Sequence, residues 1–243
     1  MNITIAHLYY DLLNLYGESG NVKALKYGLE SQGIHVTIKF ATIGDALDFD
    51  SYDFIYMGAG TEANQKLALR HLIKYKDDVK KAIEIGKFFL ITGNSLELFG
   101  KCIIDKHEKR IKTLHAFDFY TKEENFRMVD EALVKADFMK PYILGFQNQG
   151  SVIKSNENIM FEVIKGIGSF PNSKIEGVHK NHFYGTYLIG PILVRNPELL
   201  KYMVKELILS KNPEFKFKRF NLTLENKAYH EFMKNYYKEY IEV

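Results

Sequence analysis

Lys87-Phe88-Phe89-Leu90-Ile91-Thr92-Gly93-Asn94-Ser95 is the stretch that decides the fold. Four apolar residues in a row, Phe88 to Ile91, suit a strand buried on both faces, as a parallel strand between two helical layers is. Turn formers follow, and residues 95–99 then take helical spacing. Working outward, four further runs rich in β-branched or aromatic residues read as strands: 3–8, 35–40, Phe54–Met57 and 142–146. Residues 21–31 and 63–85 between them repeat Leu, Ile, Ala and Val three or four apart, so they are predicted helices. Strand alternating with helix defines the α/β class, with a mostly parallel sheet covered on both faces. From 111 to 186 aromatic and polar residues alternate and helical signals thin out, which predicts antiparallel strands extending the sheet. Beyond Asn196-Pro197, residues 198–210 form an amphipathic helix. A second helical stretch, 222–241, is crowded with Lys, Glu and Tyr and suits either a docked helix or a partner surface.

The chain has 243 residues, 46% of them hydrophobic, enough for one sizeable core. Its net charge of +3 is spread rather than clustered, so no footprint for nucleic acid stands out. The single cysteine, Cys102, allows no internal disulfide, and the opening MNITIAHLYY lacks the basic start and long apolar run of a secretion signal, so a reducing cytoplasm is expected. No apolar stretch reaches the roughly 20 residues needed to cross a bilayer, which predicts no membrane insertion.

In an open parallel sheet, ligands sit beyond the carboxyl ends of the strands, so the loops there are where chemistry is expected. Three carry distinctive turns. Met57-Gly58-Ala59-Gly60-Thr61 follows a strand, and its two glycines let the backbone approach a ligand and aim N–H groups at it; the same pair also serves as a plain turn. Ile91-Thr92-Gly93-Asn94-Ser95 has the strand-to-helix geometry of a nucleophile elbow, yet its tip, Gly93, has no side chain. Gly185-Thr186-Tyr187-Leu188-Ile189-Gly190-Pro191 ends an apolar strand where a base could face the same crevice, but Ile189 cannot accept a proton.

These loops, together with LNLYGESGNV at 13–22, Gln65, Asp118-Phe119-Tyr120-Thr121 with Arg127 after it, and Gly145-Phe146-Gln147-Asn148, keep an order and spacing that resembles one family. The chain is similar to the glutamine amidotransferase subunits of lipid II isoglutaminyl synthases, in the cobyric acid synthase-like branch of class I amidotransferases. The resemblance runs from the first strand to about Pro197. It implies a flavodoxin- or Rossmann-like layered domain over 1–197, with 198–243 as a helical extension packed on it. It also implies a Mur ligase-like partner in a heterodimer, to which the family supplies ammonia from glutamine for amidation of a peptidoglycan precursor. In the family a cysteine stands where Gly93 is and a histidine where Ile189 is. Carboxamide hydrolysis needs that thiolate to attack and that imidazole to activate it and protonate the leaving ammonia. Losing a nucleophile costs about six orders of magnitude in turnover, so a glutaminase-inactive binding or scaffold subunit is the expectation. Gly58, Gly60, Arg127, Gln147 and Asn148 are the ligand-binding positions that the resemblance leaves in place. Arg127 would there contact the carboxylate of glutamine; an ion pair with Glu123 or Asp130 is its plain use.

Other expectations stay open beside this one. Ser95, with His179 or His182 as base, is the first local substitute for the missing pair and would make an active hydrolase of a different type. A serine opening a helix is ordinarily an N-cap. A glutamine-binding sensor and a cobyric acid synthase-like amidotransferase are the remaining alternatives. Cys102, too far along the chain for the elbow, reads as a small buried hydrophobe. His7, His35, His71, His107, His115 and His230 show no metal-ligand spacing, and no phosphate-cradling GxxxxGK[ST] occurs, so neither a metal nor a cofactor is expected.

Overall fold

In the computed structural model, which describes residues 1–240, strand β1 (Asn2–Leu8) is the spine of the parallel half. It is followed by α1 (Ser19–Ser31), β2 (His35–Ala41), β3 (Phe54–Met57), α2 (Glu62–Leu72), α3 (Lys76–Glu84) and β4 (Phe88–Thr92). The remaining strands are β5 (Cys102–Ile104), β6 (Arg110–Lys112), β7 (Tyr120–Lys135), β8 (Ile143–Lys154), β9 (Ile159–Lys165), β10 (Ile175–Lys180) and β11 (Phe183–Thr186). Helices α4 (Ile192–Arg195), α5 (Pro197–Leu209) and α6 (Thr223–Tyr236) close the chain. The sheet runs β2-β1-β3-β4-β11-β10-β9-β7-β5-β6, with β8 on β7. Strands β2, β1, β3, β4 and β11 are mutually parallel, and β10, β9, β7 and β8 continue antiparallel.

The period of two in each strand sorts its side chains between two cores. Ile3, Ile5, Phe54, Tyr56, Phe88 and Leu90 face α1 and α5, while Ala6, Leu8, Ile55, Met57, Phe89 and Ile91 face α2 and α3. Each such fully buried Leu, Ile or Phe contributes about 1.5–3 kcal/mol, so the unbroken apolar run at 88–91 is held from both sides. The result is the expected three-layer α/β fold, and the five parallel strands point their carboxyl ends to one edge.

Differences from the sequence reading are local. The helix expected over 63–85 is two helices joined by a 3₁₀ turn at Ile73–Tyr75, with Arg70 in the last turn of α2 and Asp77 and Asp78 in the first turn of α3; each of these charges complements its own helix dipole. Thr61 caps α2, its hydroxyl accepting from the Asn64 N–H at 3.2 Å. The helix expected over 95–99 is a 3₁₀ segment, Gly93–Phe99, buried except at Asn94. The strand expected at 142–146 is the start of twelve-residue β8, antiparallel to β7, so it lies outside the parallel set. Helix α5 enters the same core as the sheet through Leu199, Leu200, Met203, Val204, Leu207 and Ile208. Helix α6 docks through Met233, which with Tyr237 packs on Leu133 and Leu144, while Leu224 and Tyr236 stay exposed. Its expected end at Ile241 lies outside the described residues. Among the described residues no helix is long and apolar enough to cross a membrane.

Candidate functional site

The register of the parallel strands assembles the site. Met57 pairs with Ile91, and Thr92 with Thr186, so the loops after β3, β4 and β11 leave the sheet side by side. Gly93 turns the chain with φ +62°, a left-handed value that glycine takes without cost. A Cβ built there would lie 2.4 Å from Ala59 Cβ and 3.1 Å from Ile189 Cγ2. The space a nucleophile would need above the elbow is therefore filled by the methyl of the neighbouring loop and the buried side chain expected opposite it. Ile189 is 1% exposed, and its N–H is spent on the Phe146 carbonyl at 2.9 Å.

The donors of the 58–60 loop are committed as well. Asn94 clamps Gly60 from both sides: its Oδ1 accepts from the Gly60 N–H at 3.1 Å, and its Nδ2 donates to the Gly60 carbonyl at 2.9 Å. Gln65 donates to the Asn94 carbonyl at 2.5 Å and holds the clamp from α2. Gly58 and Gly60 are glycines for a packing reason, since a Cβ would lie 2.4 Å from the Leu13 carbonyl at the first and 2.7 Å from the Leu12 carbonyl at the second. An oxyanion would find the Gly60 N–H already paired.

Beneath the elbow lies a buried polar knot contributed by the LNLYGESGNV stretch. The Glu18 carboxylate accepts from the Tyr56 hydroxyl at 2.9 Å, from the Thr92 hydroxyl, and from the Gly190 N–H at 3.0 Å. Asn21 donates to the Tyr56 oxygen at 2.9 Å and accepts from the Leu193 N–H at 2.9 Å, tying α1 to the segment after Gly190. Burial pushes the Glu18 carboxyl above the ordinary carboxylate range, partly offset by these hydrogen bonds. Two more buried carboxyls flank Tyr187. Glu97 accepts from its hydroxyl at 3.2 Å; Glu176 accepts from its N–H at 2.7 Å and from Thr186 at 2.6 Å. Desolvation raises each to about 7.

The sequence-derived candidates fall in three places. Gly58, Gly60, Gly93, Ser95 and Ile189 do meet at the elbow. The Ser95 hydroxyl, however, donates to the Gly58 carbonyl at 2.5 Å instead of capping a helix, because the 3₁₀ turn begins two residues earlier. Arg127 and Asn148 meet at the mouth of the same loop: Arg127 Nε donates to Asn148 Oδ1 at 2.8 Å, and Nη1 pairs with Glu62 at 2.8 Å, two residues past Gly60. The carboxylate partner of Arg127 is thus Glu62, neither Glu123, which pairs with Lys66 at 2.7 Å, nor Asp130. Gln147 is buried and latches the turn at Gly168, donating to its carbonyl at 3.0 Å and accepting from its N–H at 3.1 Å.

His179 and His182 lie at the other end of the strands. The Phe89 N–H donates to the His182 carbonyl, four residues before Gly93, which is about 13 Å along a strand. The His182 ring stacks on Phe88 and contacts the Gly86 carbonyl at 2.9 Å. His179 sits two strands from β4, stacked on Tyr184 and bonded to the Phe183 carbonyl at 3.0 Å. Neither is brought to Ser95. Cys102, half-buried on β5, is likewise away from the elbow. Ala59, Asn94, Glu18, Glu97 and Glu176 were not singled out by the sequence. The first three stand inside or beside the quoted motifs, but nothing in composition marks which side chain turns inward.

This crevice is that of a glutamine amidotransferase frame, and the chain belongs to the CobB/CobQ-like glutamine amidotransferase domain family, whose pattern matches residues 4–197. More particularly, it is 30% identical to the lipid II isoglutaminyl synthase (glutamine-hydrolyzing) subunit GatD of Staphylococcus aureus over 226 residues, 93% of each chain. The GatD subunit of Streptococcus pneumoniae is 31% identical over 213 residues, 86% of this chain and 82% of that one. Two solved structures share the fold: a glutamine amidotransferase (TM-score 0.52, 16% identity, 83% of this chain and 98% of that one) and the Trypanosoma brucei CTPS glutaminase domain with bound acivicin (0.50, 8%, 90% and 96%).

Proposed function

We propose that this chain is the amidotransferase-type subunit of a lipid II-amidating assembly in which its own glutamine hydrolysis has been lost, leaving a binding or scaffold role beside a Mur ligase-like partner. The pathway assignment is supported by about 30% identity to two GatD subunits across most of the chain. The loss of chemistry is supported by one observation: Gly93 has no side chain, and Ala59 and Ile189 occupy the volume a thiol and an imidazole would share. In this reading residues 1–197 carry the amidotransferase frame, and the chain after Pro197 is a helical extension whose α5 packs into the same core. Nitrogen for the partner's reaction would in this reading come from free ammonia.

Incubation of the purified chain with glutamine is expected to release no ammonia above a protein-free blank. Release that disappears on Arg127→Ala would overturn the inactive reading. Co-expression with the Mur ligase-like protein tests the partnership, and separate elution of the two on gel filtration would count against it.

A second reading, a glutamine-binding sensor, is favoured by the half-exposed Arg127 on a groove of about 300 Å³ that also holds Glu62, Glu123 and Ser151. Binding there requires a ligand carboxylate to displace Glu62 from the guanidinium. Calorimetry with glutamine and glutamate separates the two readings, since a pure scaffold gives no heat.

A further inference from the structure

Outside the crevice, four cationic residues of the C-terminal third, Lys201, Lys205, Lys218 and Arg219, line one depression. Segment 211–222 crosses the face of α1 and α5 before α6 begins, and it is firmly held. Lys211 pairs with Asp53 at 2.7 Å, the Lys218 N–H donates to Gln32 at 2.8 Å, and Phe215, Phe217 and Phe220 pack against the core. Because the phenylalanines turn inward, Lys218 and Arg219 are exposed. They meet Lys201 and Lys205 of α5 around a depression of about 420 Å³, whose wall is completed by Phe217, Phe220, Leu222, Thr223 and Asn226.

No carboxylate lines this depression. Lys201 is shared with Glu198 at 3.2 Å, but no ion pair joins Lys205, Lys218 or Arg219 to an acid among the described residues. Lys66, Lys101, Lys122, Arg127 and Arg195 have such partners elsewhere on this surface. Lys205, Lys218 and Arg219 thus bring positive charge without an acidic partner to the wall of one hollow, which attracts an anion. The ammonium of Lys205 is also steadied 5.7 Å above the Phe217 ring, so part of the ordering that binding would require is already made.

We propose that this depression is a binding site for a diphosphate-class anion. With Lys201 shared with Glu198, a single carboxylate would neutralise only one of the three remaining cations. Two linked phosphoryl groups present oxygens to several ammonium groups at once and accept a bidentate contact from Arg219. Thr223 and Asn226 supply hydrogen-bonding groups at the rim, and the volume is within the range of small-ligand pockets. The site lies on the α1/α5 face, whereas the 58–60 loop leads into α2 on the other, so the proposal stands or falls independently of the inactive elbow.

Titration calorimetry of the intact chain with inorganic pyrophosphate at low salt tests it. Saturable binding is expected, weakening steadily as salt is raised. Lys205→Glu/Arg219→Glu is expected to weaken it at least tenfold, with Lys74→Glu, on the opposite face, unchanged. Retention of the parent melting temperature shows that the double variant is folded; should it not fold, Lys205→Gln/Arg219→Gln, which adds no acid, is used and should weaken binding in the same direction. Parallel flotation with phosphatidylglycerol and phosphatidylcholine vesicles tests the ligand class: pyrophosphate binding that is sensitive to the charge reversal supports the proposal, and capture by the anionic vesicles without pyrophosphate binding overturns it, since phosphatidylglycerol carries a single phosphoryl group. No binding in either arm, or binding indifferent to the charge reversal, overturns the proposal.

Discussion

Replacing Gly93 by alanine probes the geometry on which the functional reading depends. Two costs are expected. A non-glycine residue at φ +62° costs about 1–2 kcal/mol. The added methyl would lie 2.4 Å from Ala59 Cβ and 3.3 Å from Ala59 Cα, so the 58–60 loop must shift. That loop is clamped by Asn94 and Ser95 and backed by the Leu12 and Leu13 carbonyls, and overpacking a site of this kind costs about 1–3 kcal/mol. The sum, about 2–5 kcal/mol, is a large share of the ordinary stability of a domain. Urea unfolding of the parent, Gly93→Ala, Ala59→Gly and the double variant separates the two parts. The backbone cost persists in the double variant, while the clash disappears with the Ala59 methyl, so a coupling of about 1–3 kcal/mol between the sites is expected. A Gly93→Ala variant within about 0.5 kcal/mol of the parent, or a cycle without coupling, would refute the claim that Ala59 fills the nucleophile's place.

Other consequences follow from the same contacts. Gly93→Cys/Ile189→His restores both catalytic residue types but leaves the Ala59 methyl in the thiol's way, so it should release no more ammonia from glutamine than the parent; ammonia release by this pair would show that the crevice opens. Glu18→Ala removes the acceptor for Tyr56, Thr92 and Gly190 together and should cost about 3–5 kcal/mol in urea unfolding, since each stranded buried donor costs about 1–3 kcal/mol; a loss under about 1 kcal/mol would mean that water replaces the carboxylate. Glu97 is held at about 7 against 4.5 for an ordinary glutamate, so the folded chain binds its proton more tightly than the unfolded one. Its contribution is fully present below pH 4.5 and is lost as pH rises through 7. Glu97→Gln keeps an acceptor for Tyr187 and should flatten part of the decline in urea midpoint between pH 5 and 8; identical pH profiles would contradict the assignment. Ser95→Ala should lose about 1–3 kcal/mol of stability through the stranded Gly58 carbonyl, without affecting any measurable hydrolase activity.

The parallel half of the fold was legible because its signal is local. Phe88 to Ile91 are apolar throughout since both sheet faces are covered, and the turn chemistry at Gly58–Gly60 and Gly93 marks where the strands end. The elbow positions could be counted along the chain for the same reason. What escaped the sequence depends on contacts between distant segments. The break between α2 and α3 is written in charge rather than hydrophobicity. The partner of Arg127 is Glu62, 65 residues away, and Arg127 itself lies in the stretch where the β7–β8 register shifts between Glu123 and Met128. Ser95 looked like a cap because serine at a helix start ordinarily is one; here a 3₁₀ segment starting at Gly93 turns its hydroxyl toward Gly58. The histidines were paired with the elbow by nearness in sequence to Gly185, whereas strand direction carries His182 to the opposite end of the sheet.

The site is more than an amidotransferase crevice lacking two side chains. With only Gly93 and Ile189 changed, an empty space would remain in which a donor loop could still polarise a carbonyl. Instead Ala59 enters the vacated volume, Asn94 pairs both polar groups of Gly60, and Gln65 fixes Asn94 from α2. The packing is mutual: the Ala59 methyl fits because Gly93 has no Cβ, and Asn94 holds the Gly60 N–H that would otherwise face the crevice. The polar knot at Glu18, Tyr56, Thr92 and Asn21 persists beneath this filled crevice because it serves another purpose. Through Gly190 and Leu193 it joins the start of α1 to the segment after β11, two parts of the chain 172 residues apart. On the proposed reading, the frame keeps its shape while the volume above the elbow is taken up by packing of Ala59 and Ile189.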